Sequence, residues 1–202
     1  MRHKITFNLE SPIITYEPIM FDSLLLYCYL EDTIGAVPQW LNIKDDIDLP
    51  DGLLNKHESG AWLASQMMTN DDPLLDLSFF TKHWETAFQH LVENKKQKIL
   101  TSKGPYKSYN IPYETKSYES VFFVIDTDNI AEVARLIRNQ CFSLGKKRNR
   151  GYGKVRNIEI TQTDMKITRP IPTTEKTGII YMRTKPPYWS YEDIVRCKVE
   201  QI

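Results

Sequence analysis

The first hydrophobic pattern in the chain is strict alternation. Ile5, Phe7 and Leu9 interleave with Lys4, Thr6 and Asn8, which predicts a half-buried strand over residues 4–9. A strand this close to the start of a fold is expected to be central. Ser11-Pro12 breaks it, and beyond Pro18 the period changes to that of a helix over 21–31, with Phe21, Leu24, Leu25 and Cys28 on one face and Asp22 as N-cap. From Gly35 to Pro73 the signals are mixed. Residues 61–68 (Ala61 to Met68) and 77–81 (Leu77 to Thr81) read as two further strands.

The second half is clearer. Ser120 to Asp126 is a nearly continuous apolar run, the mark of a buried strand. Asp128 is then expected to cap a helix in which Ile130, Val133, Ala134, Ile137 and Cys141 recur at helical spacing. Alternation returns at Val155, Ile158 and Ile160 in a strand over 154–161. The succession strand–helix–strand, then strand–helix–strand predicts an α+β fold of ferredoxin-like (RRM-like) outline. A tail over 162–202 carries the strand-like run Gly178 to Arg183 and then Pro186-Pro187-Tyr188-Trp189, whose aromatics are expected to anchor the tail on the core rather than to stack on a ligand.

Composition changes this picture mainly through charge. The 202 residues are 41% hydrophobic, enough for one full core, and the net charge is zero. Yet residues 1–94 hold 5 basic and 15 acidic side chains, net −10, and residues 95–202 hold 21 and 11, net +10. Such a dipolar chain suits a polyanion on one face. Cys28, Cys141 and Cys197 are odd in number and far apart, which argues against a disulfide framework and for small core residues in a reducing compartment. No apolar run approaches the roughly 18 residues of a membrane span, and Met1-Arg2-His3-Lys4 leads straight into a strand pattern, so a cytoplasmic location is expected.

The candidate chemistry sits between the second helix and the last alternating strand. Gly145, Lys146, Lys147, Arg148, Asn149, Arg150, Gly151, Tyr152, Gly153 and Lys154 combine three glycines with five cations and no acid. Glycines permit positive φ and close approach of backbone N–H groups to a ligand, and the cations meet phosphates. A nucleotide P-loop is excluded, because that motif follows a strand and ends in Gly-Lys-Ser/Thr. A solvated basic turn is the plainer reading, and the position between helix and strand favours a polyanion cradle.

Upstream, residues 95–118 interleave Lys95, Lys96, Lys98, Lys103, Lys107 and Lys116 with Tyr106, Tyr109, Tyr113 and Tyr118 around Gly104-Pro105. Lysines bind phosphate and tyrosines stack on unpaired bases, so this is either a hairpin over single-stranded nucleic acid or an exposed hairpin whose tyrosines cap a core edge. From it, Lys103, Tyr106, Lys107 and Tyr109 join the candidate RNA-binding set. His3, His57, His83 and His90 are the possible general bases for RNA cleavage, with ordinary packing beside aromatics such as Trp84 and Phe88 the competing reading. The run Asp45, Asp46, Asp48 and Asp51 lacks the glycine and terminal glutamate of a calcium loop, so neither a metal nor any other cofactor is expected.

The loop Gly145-x5-Gly151-Tyr152-Gly153-Lys154-Val155 before the last strand resembles the glycine-rich loop of the RAMP superfamily, the ferredoxin-like RNA-binding proteins of CRISPR systems. With Pro18 to Leu25, Gly104 to Tyr109 and Pro186 to Trp189, the chain is similar to the crRNA 5′-handle-binding subunits of type IV CRISPR effector complexes. That resemblance implies a single RAMP domain over 1–202, with an insertion at about 35–118 and a C-terminal extension at about 162–202. It implies a non-catalytic subunit that grips the 5′ handle of a guide RNA (crRNA). Its partners would be the backbone and large subunits of a ribonucleoprotein complex in antiviral defence, with target DNA met through that complex. The alternative within the same superfamily is a metal-independent endonuclease that processes the guide precursor.

Overall fold

A computed structural model describes residues 1–35, 48–83, 100–104, 106–188 and 192–202. Its elements are β1 (Arg2–Leu9), α1 (Phe21–Ile34), β2 (Leu74–Lys82), β3 (Tyr109–Ser117), β4 (Ser120–Asp126), α2 (Ile130–Gln140), β5 (Val155–Gln162), β6 (Thr168–Pro172), β7 (Ile179–Met182) and β8 (Val195–Gln201). Among the described residues this is a mixed α/β arrangement of two helices and three antiparallel sheets, ordered β4-β1-β5, β2-β3 and β6-β8-β7.

β1 is central in its sheet, as the position of its alternating pattern predicts, and Ile5, Phe7 and Leu9 are buried. They meet Val121, Phe123 and Ile125 of β4, Phe21, Leu25 and Cys28 of α1, and Val133, Leu136 and Ile137 of α2 in one core cluster. Phe123 is the hub, with Phe7 edge-on at 5.6 Å and Phe21 tilted at 5.3 Å between ring centroids. On the opposite face Phe122 and Val124 pack with Ile167. β4 is therefore covered on both sides, which is why its sequence does not alternate.

Three local expectations are corrected. Residues 61–68 do not form a regular strand: they follow the free edge of β4 through single bridges, Ala64 with Ile125 and Met68 with Phe122. Side chains interrupt the ladder, since the Ser65 hydroxyl accepts the Val124 N–H at 2.9 Å while the Arg169 guanidinium donates to the carbonyls of Trp62 and Ala64. Asp22 is not the N-cap of α1, a position held by Met20 without a side-chain hydrogen bond. Asp22 is fully buried instead, accepting from the Tyr188 hydroxyl at 2.6 Å and lying 3.5 Å from the guanidinium of Arg169. Burial pushes its carboxyl up, against the opposing pull of Arg169, Tyr188 and the Ser23 N–H. Finally, α2 is capped by Asn129, which accepts the Glu132 N–H at 3.3 Å, because Asp128 faces the N-terminal amine at 3.4 Å.

Residues beyond 162 form the sheet β6-β8-β7. β6 carries Pro170 and Pro172, which an edge strand tolerates because only one of its sides must be hydrogen-bonded. Tyr188 does anchor this tail, by tying Asp22 of α1 to Arg169 of β6, whereas Trp189 lies outside the described residues. The hairpin β2–β3 comes from the segment expected to be an insertion, and its base is pinned by reciprocal backbone hydrogen bonds of 2.9 Å between Ile13 and Lys116.

Candidate nucleic-acid interface

α2 ends at Cys141, and the chain turns through the basic glycine loop before entering β5. The turn closes on itself where Leu144 N–H donates to the Gly153 carbonyl at 2.8 Å and Ser143 bridges Lys154. Gly145, Gly151 and Gly153 all have positive φ. Two of them also make close approaches: a Cβ on Gly153 would lie 1.9 Å from the Leu144 carbonyl oxygen, and one on Gly145 would lie 2.6 Å from that of Ile14. At Gly151 nothing stands within 4 Å.

Several amides of the loop are taken up within the protein. Gly153 N–H donates to the Pro12 carbonyl at 2.8 Å, and Lys146 N–H to that of Ile14 at 2.8 Å. Lys154 N–H meets the Ser11 hydroxyl at 2.8 Å, and that hydroxyl in turn donates to the Gly151 carbonyl at 2.7 Å. These bonds dock the loop on residues 11–14, with the side chains of residues 146–150 exposed beside it.

Those side chains are held by aromatic rings. The Lys146 ammonium sits 4.3 Å from the Tyr16 ring centroid, and the Arg148 guanidinium 4.4 Å from that of Tyr27. Lys147, itself in a left-handed conformation with φ 58°, places its ammonium 5.3 Å from Phe80 and 5.1 Å from Tyr113. The rings support one another: Phe80 meets Tyr113 edge-on at 4.9 Å and Tyr152 at 5.7 Å, while Tyr16 stacks on Tyr113 at 6.5 Å. Such contacts fix a cation without cancelling its charge. Lys154 differs, because its ammonium is 2.5 Å from Glu10 and holds that carboxyl below the usual range. Lys146, Lys147, Arg148, Asn149 and Arg150 are all exposed.

The Tyr27 hydroxyl is pushed up by burial, opposed by Arg148 and reinforced by Glu31 one turn along α1. Beside it Tyr27, Gln140, Phe142, Ser143, Arg148 and Asn149 enclose a cleft of ≈ 320 Å³. Nearby, the Cys28 thiol is pushed up by its hydrogen bond with Cys141 and by burial, and all three cysteines are free and buried.

The hairpin side chains against the loop are Phe80 and Tyr113; Tyr113 belongs to the stretch of interleaved lysines and tyrosines, and Phe80 is silent in the sequence. Lys103, Tyr106, Lys107 and Tyr109 sit beyond them, in the turns around Gly104 and at the start of β3, where Tyr109 pairs with Lys82. Tyr16, Tyr27 and Phe142 were equally silent in the sequence, since their roles depend on where α1 and the end of α2 come together. Lys95, Lys96, Lys98, Pro105, Trp84, Phe88 and His90 lie outside the described residues, as do Asp45 and Asp46.

Of the remaining candidates, His83 is exposed just beyond β2, and the others have local partners. His3 Nδ1 lies 3.1 Å from the Met1 carbonyl, and His57 Nδ1 lies 2.9 Å from the Ser59 hydroxyl. Asp48 accepts the Trp62 indole N–H at 2.8 Å, and Asp51 pairs with Lys56 at 3.4 Å. Among the described residues, no three His, Cys, Asp or Glu side chains are gathered to hold a metal, and no helix is long and apolar enough to cross a membrane.

The family described as CRISPR type IV associated protein Csf3 matches residues 2–200. No curated protein matches the sequence. Among solved structures, the chain is similar to one in the cryo-EM structure of the Type III-B Cmr-beta bound to cognate target RNA, at 13% identity and a TM-score of 0.36. That match covers 80% of this chain and 60% of the other, so the sequence spans less than two thirds of the length of the chain it resembles.

Proposed function

This chain belongs to the family of CRISPR type IV associated protein Csf3, and from that premise we propose that it is a non-catalytic RNA-binding subunit of a type IV CRISPR effector complex, gripping the 5′ handle of the guide RNA. The observation that carries this reading is the row of exposed cations Lys146, Lys147 and Arg148, each held on an aromatic ring, with Arg150 beside them. Each phosphate neutralised by such a cation releases counterions, and each base stacked on an aromatic adds roughly 1–3 kcal/mol, so a few contacts give tight binding.

The same reading treats residues 1–202 as one ferredoxin-like RAMP domain, with β2–β3 in an insertion at about 35–118 and β6–β8 in an extension at about 162–202. The order β4-β1-β5, with residues 63–68 along the outer edge of β4, supports that assignment. Lys103, Tyr106, Lys107 and Tyr109 form a second, outlying contact with the RNA. The neighbours are backbone and large subunits, and target DNA is reached through the assembly. Catalysis is not part of the proposal: His3 and His57 are engaged locally, and neither is among the partners of the loop.

Electrophoretic binding to guide RNA with and without its 5′ handle tests the reading, with end-labelled precursor RNA run on a denaturing gel alongside. Tighter binding to handle-bearing RNA and an intact precursor are expected. Equal affinity for both RNAs overturns the handle assignment, and a discrete metal-independent product ending in a 2′,3′-cyclic phosphate makes the protein a nuclease.

A further inference from the structure

The cleft beside the loop has features that phosphate binding does not use. Phe142, the second residue after α2, is 68% exposed, although its backbone carbonyl is fixed by the Val155 N–H at 2.9 Å. Its ring is thus presented to solvent on a tethered backbone, with a face free to stack. Asn149 lines the same cleft, and its amide makes no hydrogen bond among the described residues. Gln140 donates its amide N–H to Asp32 at 3.2 Å, which leaves its carbonyl oxygen as an acceptor, and Ser143 is a further lining residue. Arg148 also lines the cleft, its guanidinium braced on Tyr27 at 4.4 Å. The cleft thus offers one exposed ring, an amide with both donor and acceptor, a second acceptor and one cation. Its ≈ 320 Å³ lies at the small end of ligand sites, which run from about 300 to 1,000 Å³.

We infer that this cleft takes a single unpaired nucleotide of the bound RNA. The base stacks on Phe142, its edge is hydrogen-bonded by Asn149 and Gln140, and its phosphate lies against Arg148. The inference rests on the RNA-binding reading and deepens it. Lys146, Lys147 and Arg150 track the backbone without regard to sequence, whereas this cleft gives one position of the RNA a base-dependent contact, because only an unstacked base presents both a free face and a free edge.

The test pairs a protein change with an RNA change. Guide RNA carrying its 5′ handle is made with one abasic residue moved position by position, and each RNA is titrated against the wild type and Phe142→Ala. The ring is exposed, so the variant is expected to keep its fold, which a melting curve checks. For the wild type, one position loses about fivefold or more in affinity on becoming abasic. Phe142→Ala binds the intact RNA that much more weakly and shows no further loss at that position, while the other positions behave alike in both proteins. If the wild type binds RNA but the two scans are parallel everywhere, the cleft is not a base site and the RNA-binding reading stands. If the wild type binds neither intact nor abasic RNA, both fall together.

Discussion

The glycines of the basic loop are not equivalent, and replacing two of them by alanine separates backbone strain from close approach. Gly151 has φ 86° with nothing within 4 Å of a Cβ, so Gly151→Ala meets only the left-handed penalty, about 1–2 kcal/mol. Gly153 has φ 67°, and its Cβ would lie 1.9 Å from the Leu144 carbonyl oxygen, less than any real contact. Relief requires residues 144 and 153 to separate. That movement breaks the hydrogen bond from Leu144 N–H to Gly153 and strains the one from Gly153 N–H to Pro12, each 2.8 Å long. Two such bonds contribute about 0.5–1.5 kcal/mol each, which brings Gly153→Ala to about 2–5 kcal/mol. For a chain of this size each kcal/mol lowers Tm by about 2–4 °C. The assay is thermal and urea unfolding of both variants beside the wild type. Gly151→Ala is expected to lose a few degrees, and Gly153→Ala distinctly more or its solubility altogether. A Gly153→Ala variant no less stable than Gly151→Ala would refute the argument that this glycine is present for backbone proximity.

Other outcomes follow from charge. Arg148→Ala with Arg150→Ala is expected to weaken binding to every RNA tested and to flatten the plot of log affinity against log salt by about 0.7 per lost phosphate contact; an unchanged slope removes the loop from the RNA site. Stability is expected to fall in acid. Asp32 and Glu132 are held below the usual carboxylate range by Arg135, 2.8 Å from each. For Asp126, burial pushes upward but is outweighed by the N-terminal amine and Asn55. A carboxylate lowered in the fold contributes fully above its unfolded pKa, about 3.9 for Asp and 4.3 for Glu, and loses that contribution as pH falls through the folded value. Asp22, raised by burial, works the opposite way, so the informative quantity is the difference between wild type and Arg135→Leu. That difference should be constant from neutrality to about pH 5 and shrink below pH 4; a constant gap down to pH 2 denies the ion pairs any role.

Elements buried by regular patterns were legible in the sequence. β1 announces itself by alternation, β4 by a continuous apolar run and α2 by its spacing, because each buries a fixed face against the same core. What escaped depends on side chains distant in the chain. Asp22 has the position and chemistry of an N-cap, and only the arrival of Arg169 and Tyr188, from residues beyond 162, makes it a buried ion-pair partner. Arg169 likewise diverts the carbonyls of Trp62 and Ala64, so a segment with strand-like composition does not become a regular strand. A buried pair of this kind is costly to desolvate and is a poor source of stability, which points to its use in fixing how the C-terminal sheet sits on α1.

The same distinction explains how the candidate site was read in part. The cations of the loop could be found by composition, since like charges in a glycine-bounded run survive only at a surface. Of their partners only Tyr113 lies in a stretch that composition picks out; Tyr16, Tyr27 and Phe80 come from three other stretches of chain. The physical consequence lies in the kind of partner. An ammonium paired with a carboxylate, as Lys154 is with Glu10, has its field largely cancelled and offers little to an incoming phosphate. An ammonium or guanidinium resting on an aromatic face is restrained in position yet keeps its full charge. Lys146, Lys147 and Arg148 are all of the second kind. The loop is thereby ordered before any ligand arrives without being neutralised, and part of the entropic cost of fixing long basic side chains on a polyanion is already met in the free protein.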